Sequence, residues 1–245
     1  MNETLQGLHN RKSMRAYEDR PISPEARQEI LLAAMAAPTA GNQQLYTILD
    51  ITDQALKDKL AVTCDNQPFI AKAPLVLIFL ADCQKWYDAF LDGGCAPRRP
   101  GVGDLLLAVA DSVAAAQNAV TAAESLGIGS CYIGDILERC EEHRALLDLP
   151  PYVIPAAMLV CGYPTQQQKE RQKPERCALR HIVHENRYRR MPGEELRAML
   201  SKNLHSQPYE VWLNAFCSRK YNSDFAREMT RSAEVYLQPF TLKEE

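Results

Sequence analysis

The sequence predicts a mixed helix-and-strand layer structure, on three observations: helix-period and strand-period segments alternate along the chain, Leu75–Ala81 is almost wholly apolar, and a long alanine-dense stretch follows Asp104. With 245 residues, 46% of them hydrophobic and 24% charged, the chain can bury a sizeable core as one large domain or two small ones.

Ser23 followed by Pro24 has the form of a cap and first turn, and Ala26, Ile30, Ala33 and Ala34 share one side of a helix over 24–35 that stops before Pro38. Tyr46–Thr52 and Leu75–Ala81 are short strand candidates, the second central in its sheet. From Asp82 to Gly103, Gly93-Gly94, Pro97 and Pro100 point to an irregular excursion, a candidate lid carrying Trp86, Tyr87, Phe90 and Arg98-Arg99. Asp104 opens a helix to about Leu126, small or apolar on most of its circumference and therefore buried on several sides. Asp135 and Glu138 have the spacing of a capping box and predict another helix start. Ile154–Cys161 is a further strand, 165–176 is an exposed polar connection, and the chain beyond Pro192 is helical in pattern.

The net charge of −3, from 28 basic and 31 acidic residues, gives no electrostatic case for nucleic acid or an anionic membrane. The apolar stretch Leu105–Ala123 is interrupted by Asp111, Gln117 and Asn118, against a lipid-spanning helix. The opening Met1-Asn2-Glu3-Thr4-Leu5-Gln6 has no basic and apolar leader pattern, so a cytoplasmic protein is expected. Eight scattered cysteines without a C-x-x-C pair read as reduced thiols, and the five histidines, His205 among them, do not join them in a metal-ligand spacing.

Four segments carry candidate chemistry. Arg11-Lys12-Ser13-Met14-Arg15 places three cations and a hydroxyl within five residues, which suits a phosphate, although taken alone a solvated basic turn is the favoured explanation, short basic runs being common. Pro38-Thr39-Ala40-Gly41-Asn42-Gln43-Gln44 combines small residues with amides able to meet a heterocycle edge, or is an ordinary loop. Gly127-Ile128-Gly129-Ser130-Cys131-Tyr132-Ile133-Gly134-Asp135 does not fit a dinucleotide fingerprint, but offers backbone amides toward an electron-rich ring. Lys173-Pro174-Glu175-Arg176 could close on the same phosphate as Arg11 and Arg15, or be a solvated charged loop.

In order, R-K-S-x-R-x-Y near the start, A-P-T-A-G-N-Q-Q, A-K-A-P-L-V-L-I-F, G-I-G-S-C-Y-I-G-D and I-V-H-E-N-R-Y near residue 185 resemble the nitroreductase family of FMN enzymes over roughly residues 7–190. The stretch K-Y-N-S-D-F-A-R-E-M-T-R-S at 220–232 looks like an extension found in one branch of that family. The resemblance implies an α+β fold, a mixed and mainly antiparallel sheet flanked by helices, in an interlocked homodimer with FMN sites between the subunits. It implies an FMN-binding domain over 1–195 and a C-terminal helical extension over 196–245. Arg11 and Ser13, with Lys12 between them, then look toward the phosphate and Arg15 toward the pyrimidine edge, while Pro38, Thr39, Ala40 and Asn42 come from the partner subunit. Asn66 and Gln67 resemble the amide pair at the polar end of the ring, Tyr132, Ile133, Gly134 and Asp135 the segment behind it, and Lys173 and Arg176 late phosphate-binding cations.

The function implied is an oxidoreductase that passes electrons from NADH or NADPH by ping-pong exchange to a small conjugated acceptor such as a nitroaromatic or quinone. No catalytic side chain and no metal are implied. Two rivals are a flavin-binding protein without turnover and a structural dimer that uses its cysteines as thiol sensors.

Overall fold

A computed structural model describes residues 1–204 and 206–241; His205 and the last four residues of the expected C-terminal helical run lie outside the described residues. The chain divides into two compact units, Met1–Arg171 with the segment from Glu228 onward, and Gln172–Arg227. The sequence boundary at 195 falls within a helix of the second unit, Gly193–Leu200.

The first unit begins with α1 (Glu3–Asn10), α2 (Pro24–Met35), β1 (Tyr46–Asp50), α3 (Gln54–Thr63), α4 (Pro68–Lys72) and β2 (Leu75–Asp82). It continues with α5 (Gln84–Asp92), α6 (Val102–Ser125), β3 (Gly129–Ile133), α7 (Cys140–Leu146), β4 (Val153–Gly162) and α8 (Gln166–Glu170). The second unit holds α9 (Gly193–Leu200) and α10 (Tyr209–Lys220), and α11 (Asp224–Thr241) runs from it into the first.

The strands pair in the order β1-β2-β4-β3, antiparallel throughout. The expected mixed sheet is thus narrower in its parallel part: a single parallel bridge joins Ser13 to Ser130. Every residue of β2 is buried. Leu75, Leu77 and Phe79 face the layer of α2 and α6, whereas Val76, Ile78 and Leu80 face the layer of α3 and α4, the period-2 alternation of a strand covered on both sides. Burying each such side chain is worth about 1.5–3 kcal/mol, and this strand is the spine of both cores. Pro155 sits opposite Leu80 where the register shifts, a place that tolerates a residue without an N–H.

α2 starts as its sequence dictates, with the Ser23 hydroxyl accepting from Ala26 N at 3.2 Å and Pro24 in the first turn. α6 starts where the Asp104 carboxylate accepts from Gly101 N at 2.8 Å and pairs with Arg98 at 2.6 Å. By length and hydropathy α6 could cross a membrane. Its inner face, Leu105, Ala108, Ala115, Ala116, Ala119 and Ala123, is instead packed in the cores against the sheet, so its apolarity is that of a core helix.

Three local expectations differ from the structure. The 82–103 excursion contains α5, pinned by Trp86 Nε1 donating to Gln43 O at 2.7 Å and Lys85 Nζ donating to Tyr46 O at 2.6 Å. Gly129–Ile133 is an edge strand rather than a loop before a helix. Asp135 opens only a 3-10 turn, Asp135–Leu137, without a side-chain cap; Glu138 lies beyond its end in extended backbone, buried, and cannot complete a capping box.

The segment 13–17 lies directly on the β3–β4 edge. A Cβ on Gly162 would stand 2.7 Å from the Tyr17 ring and 2.8 Å from Pro74 Cδ, and one on Gly129 would stand 2.5 Å from Met14 Cγ. Gly162→Ala is therefore expected to cost about 1–3 kcal/mol, the usual penalty of overpacking, measured as a lower urea midpoint. A variant as stable as the wild type would show that the 13–17 segment is not held against β4.

Candidate functional site

The N-terminal cations are fixed through their backbone. Arg11 closes α1, its N–H donating to Gly7 O at 2.8 Å. Met14 N donates to Ser130 O at 2.9 Å, Glu18 N to Tyr163 O at 2.8 Å, and Thr165 N returns to Ala16 O at 3.2 Å. The Tyr17 hydroxyl reaches Met14 O at 2.8 Å and Val160 O at 3.2 Å. Burial raises its pKa far above the usual range, with the thiols of Cys161 and Cys131 adding and Arg15 opposing, so the hydroxyl remains a donor.

From the C-terminal side of β4 comes a second brace. Lys12 Nζ donates to the carbonyls of Lys169, at 2.6 Å, and Arg171. Arg171 Nη2 donates to Ser13 O at 2.5 Å, and Arg15 N donates to Gln168 Oε1 at 3.2 Å. Lys169 and Arg171 escape a reading of the sequence that looks for cations beside a proline; their spacing in a polar linker carries no signal of contact with Ser13.

Around the segment so held, polar atoms lack partners. Arg11 Nη1, Ser130 Oγ and Tyr132 Oη are buried without a hydrogen bond among the described residues. Burial pushes the Tyr132 hydroxyl up to about 12, with the Arg11 guanidinium opposing, which places these two groups in one neighbourhood. Cys131 meets the side chains of Ser13 and Arg15; burial raises its thiol pKa and those two neighbours oppose the rise. Arg11 also lines a cavity of about 270 Å³ between α1 and α6 with Gly7, Leu8, Gln117 and Thr121. A buried, unpartnered guanidinium nitrogen in the same neighbourhood as two buried hydroxyls without partners is a donor set suited to an anion.

β3 carries this edge into the turn that follows. The Ile133 side chain is buried in the core, so Ile133 can offer a ligand only its backbone. Gly134 faces open space, since a Cβ there would meet nothing within 4 Å. The end of α3 lies alongside: Cys64 is pushed up to about 12 by burial first and then by the Asp135 carboxylate. There Asp65 and Asn66 both adopt left-handed backbone, Gln67 N donates to Ala61 O at 2.8 Å, and Gln67 Nε2 donates to Cys64 O at 2.8 Å. The structure thus brings the 11–15 segment, Tyr132–Asp135 and Asn66–Gln67 into one part of the first unit.

The loop at 38–44 has a separate anchor. Asp111, buried in mid-α6, accepts from the Thr39 hydroxyl, from Ala40 N at 3.1 Å and from Leu45 N at 3.2 Å. Gly41 and Asn42 there have φ of 57° and 55°, the left-handed region that glycine and asparagine tolerate best. Among the described residues no hydrogen bond or ion pair joins Pro38, Thr39, Ala40 or Asn42 to the 11–15 segment. Lys173 and Arg176 belong to the second compact unit. Asp111 was legible in the sequence only as a break in an apolar stretch; its role as a loop anchor depends on a contact 66–72 positions away.

These features define a class: an α+β protein with a cationic, partly unsatisfied cradle laid on a sheet edge and open toward a backbone turn. A profile of the nitroreductase family matches residues 8–163, and the chain belongs to that family. It is 30% identical over 238 residues to an FMN reductase [NAD(P)H] of Bacillus subtilis, covering 96% of this chain and 91% of the relative. It is 34% identical over 205 residues to an oxygen-insensitive NADPH nitroreductase of Salmonella typhimurium, covering 83% and 82%. Among solved structures, B. megaterium NfrA2 superposes with a TM-score of 0.83 at 28% identity over the whole of both chains.

Glu138, 7% exposed with Oε1 unpartnered, is the outlying carboxylate of this region. Burial, then Asp135, Asp65 and Glu228, push it up to about 7, with Arg139 opposing. Between an ordinary carboxyl value of about 4.5 and about 7, the folded protein keeps a proton that the unfolded chain has released, so stability falls as pH rises through that window. Glu138→Gln has no such proton to lose. Its stability relative to wild type, from urea unfolding, is expected to improve steadily as pH rises across the window; a constant difference would refute the buried ionisation.

Proposed function

We propose that the chain is an FMN-dependent oxidoreductase that takes electrons from NADH or NADPH and passes them by ping-pong exchange to a small conjugated acceptor, a nitroaromatic, a quinone or similar. The observation that carries this reading is the set of buried, unpartnered polar atoms, Arg11 Nη1, Ser130 Oγ and Tyr132 Oη, on an edge that runs into the open turn at Gly134. The names of the similar proteins, an FMN reductase and an NADPH nitroreductase, support it.

In this reading Arg11 and Ser13 bind the flavin phosphate with charge-assisted and neutral donors, and Lys12 fixes the segment between them. Lys173 and Arg176 are further candidate phosphate-binding cations. Arg15 faces the pyrimidine edge, and Asn66 and Gln67 supply amides at the polar end of the ring. Tyr132, Ile133, Gly134 and Asp135 back the ring, where an N–H of the turn is a donor toward a developing negative charge. Bound there, the flavin supplies reversible two-electron chemistry, while the protein orients donor and acceptor in turn over one face.

A second copy of the chain completes the site. α6 leaves Leu106 65%, Leu107 51% and Val113 44% exposed, apolar surface suited to a dimer interface. Pro38, Thr39, Ala40 and Asn42, held as a rigid loop by Asp111, then reach the flavin of the partner subunit.

The purified protein is expected to be yellow and to release FMN on denaturation. Under anaerobic conditions it should bleach with one or both nicotinamides and recolour on addition of a nitroaromatic or quinone. A colourless protein, or a flavin that neither nicotinamide bleaches, overturns the assignment. Arg11→Ala should weaken FMN binding roughly ten- to hundredfold, the scale of about 1.5–3 kcal/mol for a hydrogen bond to a charged group.

Asp135 places a carboxylate beside the ring, which opposes a negatively charged reduced flavin and lowers its potential. Asp135→Asn is expected to raise the two-electron midpoint potential by on the order of 30 mV, measured by equilibration with a reference dye. A potential unchanged or lowered would place Asp135 away from the ring.

A further inference from the structure

His143 in α7 is 0% exposed, and both ring nitrogens are satisfied by groups from different parts of the chain. Nδ1 lies 3.0 Å from Ile136 O, within the 3-10 turn that follows Gly134. Nε2 lies 2.8 Å from Thr63 Oγ1, on the last residue of α3 and immediately before the 64–67 turn. A carbonyl can only accept, so Nδ1 carries the hydrogen; burial disfavours the charged ring, which leaves Nε2 to accept from the Thr63 hydroxyl, itself also 3.4 Å from Leu60 O. The ring is therefore a neutral imidazole with a directional bond at each end. Burial holds its pKa below the ordinary histidine value, against the carbonyls of Ile136 and Glu138.

We propose that His143 is a positioning residue for the flavin site: it fixes the spacing between the turn behind the ring and the end of α3 that presents Asn66 and Gln67. This rests on the FMN reading of those two segments. An apolar side chain of similar volume would fill the same space without the cost of burying two ring nitrogens. What the imidazole adds is direction, since a fully satisfied buried network favours one arrangement of the groups it joins.

The strut is itself anchored. Arg139, just before α7, has left-handed backbone and gives the helix no side-chain cap. α11 supplies the missing acceptors: Glu228 Oε1 accepts from Arg139 N at 3.1 Å and Ser232 Oγ accepts from Cys140 N at 3.1 Å. His143 N donates to Arg139 O at 3.0 Å, so the imidazole stands on a helix end fixed from two sides. Leu60, Cys64, Ile70 and Ile136 belong to the buried apolar cluster of the same layer, so both turns are also packed against it.

The test compares His143→Ala, His143→Asn and Thr63→Val with the wild type and with Ile30→Ala, a core truncation on the other face of the sheet. In His143→Asn the amide nitrogen stands in for Nδ1 and keeps the bond to Ile136, while Thr63→Val removes the bond to α3 together with the hydroxyl's longer contact with Leu60 O. The readouts are FMN affinity from fluorescence quenching, the position of the visible flavin band, the midpoint potential, and the melting temperature of each flavin-free protein. His143→Ala is expected to weaken FMN binding about tenfold or more and to shift both band and potential. Thr63→Val should weaken binding with little change in the band, and His143→Asn should recover the band. Ile30→Ala should lower the melting temperature without moving the flavin readouts.

Wild-type affinity, band and potential in a folded His143→Ala overturn the proposal, as does an Ile30→Ala that moves the flavin readouts equally. Should His143→Ala not fold, unchanged affinity and potential in both milder variants overturn it. A wild-type protein that takes up no FMN is a separate result, which overturns the functional reading and this proposal together.

Discussion

The close approach of residues 13–17 to the edge formed by β3 and β4 is the constraint on which the site depends. Two glycines make it possible, because Gly129 and Gly162 occupy the points where Met14 and Tyr17 come down onto the sheet and where any Cβ would collide. Once seated, the segment exchanges backbone hydrogen bonds with Ser130, Tyr163 and Thr165, and the Tyr17 hydroxyl ties its carbonyls to β4. Arg11, Ser13 and Arg15 therefore project from a piece of backbone nearly as constrained as a strand. Positively charged side chains on a free N-terminal arm would repel one another and scatter; here the backbone that carries them is held in place.

A second constraint works inside the helix layer. α6 is apolar enough to be a core helix almost throughout, yet it carries Asp111 near its centre, buried and accepting from a hydroxyl and two backbone amides of the 39–45 loop. A buried carboxylate without such partners would be strongly unfavourable, so the loop and the helix need one another. The left-handed residues Gly41 and Asn42 are tolerated because the anchor holds the backbone on both sides of them. A loop fixed in this way by its own chain can present a preformed surface outward.

Local signals made some elements plain in the sequence and hid others. α2 was legible to the residue, since Ser23-Pro24 and Pro38 bound it with chemistry that acts within one turn. β2 was legible because a strand covered on both faces has no polar alternation to confuse it. β3 was not, because Gly129 and Ser130 read as loop chemistry, and the glycine is there for Met14, more than a hundred positions away. Asp135 and Glu138 misled for a related reason: their spacing is that of a capping box, but Glu138 is buried against other carboxylates and the turn stops after three residues. The candidate cradle residues Arg11, Ser13 and Arg15 stand out in the sequence by their density. Asp111 and His143 do not, because a lone polar residue in an apolar helix and a lone histidine acquire meaning only from partners distant in sequence.

The last link joins the C-terminus to the site. α7 begins at a left-handed Arg139 that cannot cap it, and α11 supplies a carboxylate and a hydroxyl in place of a local cap. Arg231 then binds Glu228 and Glu141 together, each at 2.8 Å, and draws Glu228 to about 2, so this acceptor stays ionised under any ordinary condition. Glu138 lies close enough to the same carboxylate to be pushed the other way. One arginine on α11 thus keeps one acidic residue charged at the helix end, while burial keeps its neighbour Glu138 protonated up to about pH 7. The turn after β3 inherits its fixed position from that separation of roles: it rests on α7, through His143 and the Ile136 carbonyl, and α7 rests on α11. A helix far beyond the cradle in sequence is in this way part of what keeps the backbone at Gly134 in place.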